Sequence, residues 1–202
     1  MKIKITFIMT VAFYGWFIAV NSASAQTWTQ TSAPIKAWTC IALSADGAKM
    51  VAGTYEGEIY TSIDLGRTWD LKNASSNRWL CVALSANGSV LAASGNAEPA
   101  NAFLVSTNSE IDWFQVPTLT NTLWASVAIS ADGSRLLALA EAPKEIVTST
   151  NFGSSWTTQT KAPTLDYQYY WNWIASSADG TKLVAVTYNG GPIYRSTNSG
   201  VT

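Results

Sequence analysis

Short apolar runs alternate with polar turns over most of this 202-residue chain. The run from Trp38 to Leu43 is apolar at nearly every position, as in a strand that is covered on both faces. Ala45-Asp46-Gly47 follows and predicts a tight hairpin turn, because Asp and Gly tolerate a positive φ. Tyr55-Glu56-Gly57 predicts a second turn, and further strands are expected over 49–53, 58–62 and 69–72. The pattern therefore predicts a unit of four short antiparallel strands.

The first run and its turn recur three times along the chain. The copies are WTCIALSADG from Trp38, WLCVALSANG from Trp79, WASVAISADG from Trp124 and WNWIASSADG from Trp171. The aligned serines, Ser44, Ser85, Ser130 and Ser177, are 41, 45 and 47 residues apart. A period of this length is typical of stacked or radial units of about four strands each.

An octapeptide with the pattern Ser-x-Asp/Asn-x-Gly-x-Ser/Thr-Trp follows the third strand of each unit. Two copies are complete, namely Ser62, Asp64, Gly66, Thr68 and Trp69, and Ser149, Asn151, Gly153, Ser155 and Trp156. A degraded copy keeps Asn108 and Trp113 but has Glu110 at the glycine position. The last copy has Ser196, Asn198 and Gly200, and the sequence ends at Thr202 before its Trp.

These octapeptides, each in phase with a hairpin turn, resemble the Asp-box (BNR) repeat of sialidase-like β-propellers. The resemblance covers almost all of 26–202 and implies an all-β propeller of four-stranded antiparallel blades, with about four blades present. The Asp or Asn oxygen accepts hydrogen bonds within such a turn, and the Gly supplies a corner with positive φ. We therefore expect Asp64 and Asn151 to be structural and the Trp residues of the repeats to lie in the core.

The ends of the chain raise separate questions. Residues 1–25 combine Lys2 and Lys4, an apolar run and an Ala-x-Ala ending at Ala25, which predicts a secretory signal peptide. The alternative is a membrane anchor, although the run is short for a span of roughly 20 residues. Residues 26–202 are predicted to form one propeller domain, and 26–31 resemble a fourth strand that completes the last blade. The domain is then either a closed four-bladed ring or part of a ring of six to eight blades.

Composition narrows the classes of partner. Removing Lys2 and Lys4 from the 12 basic residues leaves 10 against 13 acidic residues, a net charge of −3. A nucleic-acid partner is not expected, because phosphate binding needs a basic face. The chain has no His, and neither Cys40 nor Cys81 belongs to a CxxC pair, so we expect no metal and no cofactor. The two cysteines share one repeat position on successive blades, which favours two buried free thiols over a disulfide.

Catalysis finds little support in the sequence. The resemblance to sialidases implies a cluster of three Arg and a Tyr–Glu pair, which the four scattered Arg residues do not supply. Paired carboxylates can cleave glycosides, but the acidic residues of the loops are interpreted as solvated charge; they are Glu56, Glu58, Glu141, Glu145 and Asp166. The sequence therefore predicts a secreted, non-enzymatic bacterial module that binds a protein or a glycan. The alternative is a fragment of a glycan-active propeller whose catalytic residues lie outside this chain.

The candidate ligand-binding residues lie in the turns and links opposite the octapeptides. They are Tyr55, Glu56, Asp166, Tyr167, Tyr169 and Tyr188. Exposed aromatic rings beside a carboxylate can stack on a sugar or a peptide. The alternative is that these rings fill the space between blades. The binding hypothesis expects Tyr167 and Tyr169 to be exposed, with Trp171 and Trp173 buried.

Overall fold

The computed structural model describes residues 28–72, 78–96, 102–109, 112–116 and 122–201, and these form fifteen strands. The first sheet contains β1 (Trp38–Leu43), β2 (Met50–Thr54), β3 (Ile59–Ser62) and β4 (Asp70–Lys72). The second contains β5 (Arg78–Leu84), β6 (Leu91–Asn96), β7 (Ala102–Ser106) and β8 (Phe114–Gln115). The third contains β9 (Leu123–Ile129), β10 (Leu136–Ala142), β11 (Ile146–Ser149) and β12 (Thr157–Thr158). The fourth contains β13 (Trp171–Ser176), β14 (Leu183–Thr187) and β15 (Ile193–Ser196).

Each sheet is one blade, because its strands pair antiparallel with their neighbours in chain order. The first strands of successive blades, β1, β5, β9 and β13, pack on one another in that order. They therefore line the inner side of the arc of blades. The all-β architecture with antiparallel blades is confirmed, and three of the four sheets have four strands among the described residues.

A β-bulge near the start of the first strands sets which face each side chain takes. The register shifts between Trp38 and Cys40, and again between Trp79 and Cys81 and between Trp171 and Trp173. Simple alternation would put both residues of each pair on one face of the sheet. The extra residue of the bulge turns them to opposite faces. The Trp therefore packs on the preceding blade, while the third residue of the repeat points to the following blade.

Three apolar clusters fill the spaces between neighbouring blades. Each contains the first-strand Trp of one blade and an apolar residue from the third strand of the blade before it. The pairs are Ile59 with Trp79, Phe103 with Trp124, and Ile146 with Trp171. The rings of Phe103 and Trp124 meet edge to face at 5.1 Å. These contacts are the hydrophobic core of the protein, and burial of large apolar side chains is its main source of stability.

The hairpin turns of successive blades are joined by backbone hydrogen bonds. Within the first turn, Asp46 accepts hydrogen bonds from the Ser44 hydroxyl and the Ala48 N–H, and Gly47 has a φ of 70°. Between blades, the Ala45 N–H donates to the Ala86 carbonyl, and the same bond repeats from Ala86 to Ala131 and from Ala131 to Ala178. The repeat therefore links all four blades at this end of the sheets.

The octapeptide turns are held by their own side chains. In the first, Asp64 accepts hydrogen bonds from the Ser62 and Thr68 hydroxyls and from the Thr68 N–H, and the Gly66 N–H donates to Ser62 Oγ. The Trp69 indole N–H donates to the Gly66 carbonyl at 3.0 Å. The third blade repeats this arrangement with Ser149, Asn151, Gly153, Ser155 and Trp156. In the second blade Asn108 accepts from the Asp112 N–H, but the buried indole N–H of Trp113 has no partner among the described residues.

Two expectations about tryptophan are wrong. Trp173 is 53% exposed, because the bulge turns it to the outer face of the fourth blade, away from Trp171. Trp38 is 38% exposed, since no blade packs before the first one in the described chain. The other first-strand residues, Trp79, Trp124 and Trp171, are buried as expected, while Trp69, Trp113 and Trp156 are partly buried.

The segment before the first blade also differs from expectation. The chain divides into two units between Gln30 and Thr31. Neither 28–30 nor 31–37 contains a strand, so the strand expected over 26–31 is not formed in its described part. Among the described residues the fourth blade consequently has three strands. The signal peptide predicted over 1–25 and the first two residues of 26–31 lie outside the described residues. The described residues include no helix that is long and apolar enough to cross a membrane.

Candidate functional site

The two ends of the blades differ in what they carry. The hairpin and octapeptide turns lie at one end, because strands that pair in chain order place alternate connections at opposite ends. The other end, here named the link face, carries the turns between second and third strands and the links from each blade to the next. A concavity of about 250 Å³ opens among the residues of the second, third and fourth blades on this face.

The floor of the concavity comes from the residue that follows the repeat Trp in three first strands, namely Leu80, Ala125 and Asn172. Its walls are aromatic, with Tyr170, Trp171, Trp173 and Tyr188, and Glu141 adds a carboxylate at the end of β10. Tyr188 is 61% exposed, so its ring face is available to a ligand. The site therefore combines apolar rings, one side-chain amide and one carboxylate.

The link that precedes β13 forms a braced rim beside this concavity. Lys144 Nζ donates to the carbonyls of Asp166 at 2.7 Å and Tyr167 at 3.0 Å, and it lies 4.4 Å from the ring centre of Tyr170. Asn189 Nδ2 donates to the Gln168 carbonyl at 3.0 Å. These hydrogen bonds tie the backbone of the rim to the turns of the third and fourth blades.

The predicted site residues do not all come together. Tyr188 lines the concavity, whereas Tyr167 stands on the rim and is 87% exposed. Tyr169 is half-buried, with its ring close to Gly191, and so departs from the exposure expected of it. Tyr55 and Glu56 are exposed in the first blade, where the Arg78 guanidinium lies 4.1 Å from the ring centre of Tyr55. Asp166 is exposed on the rim, and only its backbone carbonyl is engaged by Lys144.

Four lining residues are not among the predicted ligand-binding residues, namely Glu141, Tyr170, Asn172 and Trp173, and the sequence analysis interprets Glu141 as solvated charge. The sequence predicts a buried Trp173, because nothing in it marks the bulge between Trp171 and Trp173. The repeat alignment offers one signal for Asn172. Its counterparts at the same position are Thr39, Leu80 and Ala125, none of which is an amide, and an amide in an inner strand is costly unless water or a ligand reaches it.

Groups with catalytic potential are sparse near this site. Glu141 is the only carboxylate among the described residues that line the concavity, and the described chain holds no cluster of acidic or cysteine side chains fit for a metal ion. The four Arg residues belong to four different repeats. Both cysteines are free thiols, and Cys81 Sγ accepts the Val127 N–H of the next blade. Burial raises the pKa of Cys40 to about 11 and also raises the pKa of Cys81, so neither thiol is activated.

Comparisons with known proteins place these features in a fold. No family model and no curated protein matches the sequence. Among solved structures, the GH74 xyloglucanase from Xanthomonas campestris is 20% identical with a TM-score of 0.61, over 80% of this chain and 28% of that one. A structure of YCF48 bound to D1 peptide is 15% identical with a TM-score of 0.52, over 79% of this chain and 53% of that one.

A nidogen/laminin complex also matches, at 10% identity and a TM-score of 0.63, over 80% of this chain and 60% of that one. The chain thus spans between 28% and 60% of the length of these structures. Identities this low show the fold alone. Together with the four radial antiparallel sheets, the likenesses show that this chain has a β-propeller fold.

Proposed function

We propose that this chain is a secreted, non-enzymatic Asp-box β-propeller that binds a segment of another protein in the concavity on its link face. One observation carries the proposal. Exposed rings of Tyr188 and Trp173 stand beside the Asn172 amide and the Glu141 carboxylate around a single depression. Large aromatic rings lose little conformational entropy on binding, and a few placed polar groups fix the orientation of a ligand.

The size of the depression favours side chains of a peptide over a larger compact ligand. A volume of about 250 Å³ lies just below the roughly 300–1,000 Å³ of typical small-molecule sites. An extended peptide needs only one or two of its side chains in the depression, while its backbone amides pair with the Asn172 and Glu141 side chains. Two matched propellers were solved with polypeptide partners, since their names state a bound peptide and a laminin complex.

The Asp-box assignment is supported by the turn geometry. The Ser, the Asp or Asn, and the Gly of both complete octapeptides make the same hydrogen bonds inside their turns. Secretion is supported by the basic, apolar and Ala-x-Ala order of 1–25, together with a chain that is only 12% charged. A binding role rather than glycoside cleavage is supported by the single carboxylate of the concavity, since that chemistry uses two.

A peptide display library tests the binding site directly. Peptides selected on the immobilised protein are expected to bind wild type at least about tenfold more tightly than Tyr188→Ala, a loss of roughly 1.4 kcal/mol. Tyr55→Ala is the matched control, because Tyr55 occupies the same turn position in the first blade and is likewise exposed but lies outside the concavity. Selected peptides that bind Tyr188→Ala as well as wild type would refute the site.

A glycan ligand is the second candidate, and one specific observation favours it. Aromatic rings beside an amide and a carboxylate also suit a sugar, and one matched propeller is a xyloglucanase. This chain would then be part of a glycan-active protein. A glycan array probed with wild type, Tyr188→Ala and Glu141→Gln distinguishes the two candidates. Binding of a sugar that both variants lose supports the glycan, and an empty array alongside selected peptides supports the protein ligand.

A further inference from the structure

Two Asn-Gly pairs occur in the chain, and they lie in different kinds of turn. Asn87-Gly88 belongs to the hairpin turn of the second blade, and Asn189-Gly190 follows Tyr188 in the turn between β14 and β15. Asn-Gly is the pair most prone to lose ammonia from Asn, because glycine has no side chain to hinder attack of its backbone nitrogen on the amide carbon. In a folded chain, the reaction depends on how firmly that nitrogen and the amide carbon are held apart.

The pair in the second blade is protected by hydrogen bonds. The Gly88 N–H donates to the Ser85 carbonyl at 2.9 Å, and Gly88 is buried against the Lys49 side chain. The Asn87 side-chain oxygen accepts hydrogen bonds from the Ser85 hydroxyl and from the N–H and hydroxyl of Ser89. Attack at this pair would have to break all four bonds.

The pair in the fourth blade lacks that protection. Asn189 and Gly190 are both exposed, and the Gly190 N–H has no hydrogen-bond partner among the described residues. A side chain added at Gly190 would meet no other atom, so the turn has room for a ring to form. In the described chain the Asn189 side chain makes one hydrogen bond, from Nδ2 to the Gln168 carbonyl at 3.0 Å. Only this bond has to break before the amide can turn toward the Gly190 nitrogen.

The conformation of this turn accounts for the Asn-Gly pair without a further role for it. Asn189 has a φ of 64° and Gly190 a φ of 74°. A two-residue hairpin turn of type I′ needs a positive φ at both positions, and Asn-Gly is the pair that adopts it most readily. The reactive pair is therefore a consequence of the turn that joins β14 to β15.

The single hydrogen bond of Asn189 also supports the candidate site. It ties the rim to the turn that carries Tyr188, which lines the concavity. An amide N–H can donate this bond, whereas an ionised carboxylate only accepts and would face the Gln168 carbonyl oxygen. Conversion of Asn189 to an acid therefore removes the bond and leaves the rim tied to the third blade through Lys144.

We propose that Asn189 is a site of spontaneous deamidation that releases the rim of the concavity as the folded protein ages. The Gly190 backbone nitrogen loses its proton and attacks the Asn189 side-chain carbon. A C–N bond forms, and the side-chain nitrogen leaves as ammonia. Water then opens the cyclic imide at either of its carbonyl groups. One product has an aspartate at this position, and the other has an isoaspartate, whose main chain runs through the side chain and is one carbon longer.

Peptide mapping of the full expressed chain tests the reaction, after the folded protein is incubated in mildly alkaline buffer that promotes loss of the backbone proton. Asn189 is expected to deamidate at least about tenfold faster than Asn87, because fewer hydrogen bonds have to break. In concentrated urea the two pairs should react at similar rates, since the folded-state bonds are gone. Labelled water should add one heavy oxygen to the products. If Asn189 stays intact in the folded protein, or if both pairs react equally fast there, the proposal is wrong.

Hydrogen exchange tests the release of the rim. The Tyr169 N–H donates to the Asp166 carbonyl within the rim at 3.1 Å, and it should exchange faster in aged protein and in Asn189→Asp than in fresh wild type. Asn87→Asp is the matched control and should leave this exchange unchanged. Aspartate already occupies the equivalent position in the other three hairpin turns, as Asp46, Asp132 and Asp179.

Unchanged exchange at Tyr169 in Asn189→Asp would show that the rim does not depend on the Asn189 hydrogen bond, and would overturn this part of the proposal. Faster exchange in Asn87→Asp as well would also overturn it, because the effect would then not be specific to the rim. Neither experiment uses a ligand, so failure of the deamidation proposal leaves the proposed function untouched.

Discussion

At the scale of single residues, Asp64 and Asn151 show one turn built with two chemistries. Asp64 accepts the Thr68 N–H and the Thr68 hydroxyl. Asn151 accepts the Ser155 N–H through its oxygen and donates its amide N–H to the Ser155 hydroxyl. The hydroxyl residue thus serves as donor to a carboxylate and as acceptor from an amide, which explains why the octapeptide pattern tolerates either residue.

The carboxylate adds a pH dependence that the amide lacks. Hydrogen bonds from Thr68, first from its hydroxyl and then from its N–H, lower the pKa of Asp64 from 3.8 to about 2. A folded-state pKa below the unfolded value stabilises the fold above the unfolded pKa, and this stability is lost as the pH falls toward the folded value. We therefore expect the melting temperature of Asp64→Asn to match wild type near neutral pH and to fall less steeply between about pH 4 and pH 2.

Three further aspartates set the control for that measurement. Hydrogen bonds from serine hydroxyls lower the pKa of each of these aspartates; the pairs are Ser44 with Asp46, Ser130 with Asp132 and Ser177 with Asp179. Wild type and Asp64→Asn should therefore both still lose stability in acid. Asp64→Ala, which removes the acceptor altogether, should be less stable at every pH. Parallel acid profiles for wild type and Asp64→Asn would show that Asp64 contributes nothing as a carboxylate.

Single residues also show which parts of the candidate site the sequence could predict and which it could not. Tyr188 and the exposure of Tyr167 followed from their places in turns, which are local features of the chain. The orientation of Trp173 did not, because a one-residue bulge reverses the face of a side chain and leaves no mark in an apolar run. Glu141 and Tyr170 join the site through the packing of two blades, which no local pattern contains.

At the scale of elements, the inner strands were the most predictable. The expected strand from Trp38 to Leu43 coincides with β1, and the expected second strand over 49–53 differs from β2 by one residue. The fourth strands are short, with two or three residues each. They lie at the edge of each sheet and pair with the third strand alone. Apolar runs predict strands well when both faces are covered, and edge strands carry less of that signal.

The contact between blades predicts different costs for one substitution at equivalent positions. Trp79 is buried against Ile59 and its indole N–H donates to the Gly57 carbonyl, whereas Trp38 is partly exposed and its ring meets two rings of its own blade, Tyr60 and Trp69. Trp79→Ala should lower the free energy of unfolding by about 3–5 kcal/mol. Trp38→Ala should lower it by about 1–2 kcal/mol, the value of exposed aromatic contacts.

Urea unfolding measures both values. Equal losses for Trp79→Ala and Trp38→Ala would mean that the first-strand Trp acts within its own blade, contrary to the packing described above.

At the scale of the whole molecule, the sequence repeat predicts most of the fold. Four similar units with one period predict four similar sheets, and a unit whose strands are apolar on both faces must pack between two others. That argument leaves the first and last units each with one face uncovered, which is what the exposure of Ile41 and Ile193 shows. The number of blades in the complete ring does not follow from the repeat, because it depends on the angle between sheets and on what meets those two faces.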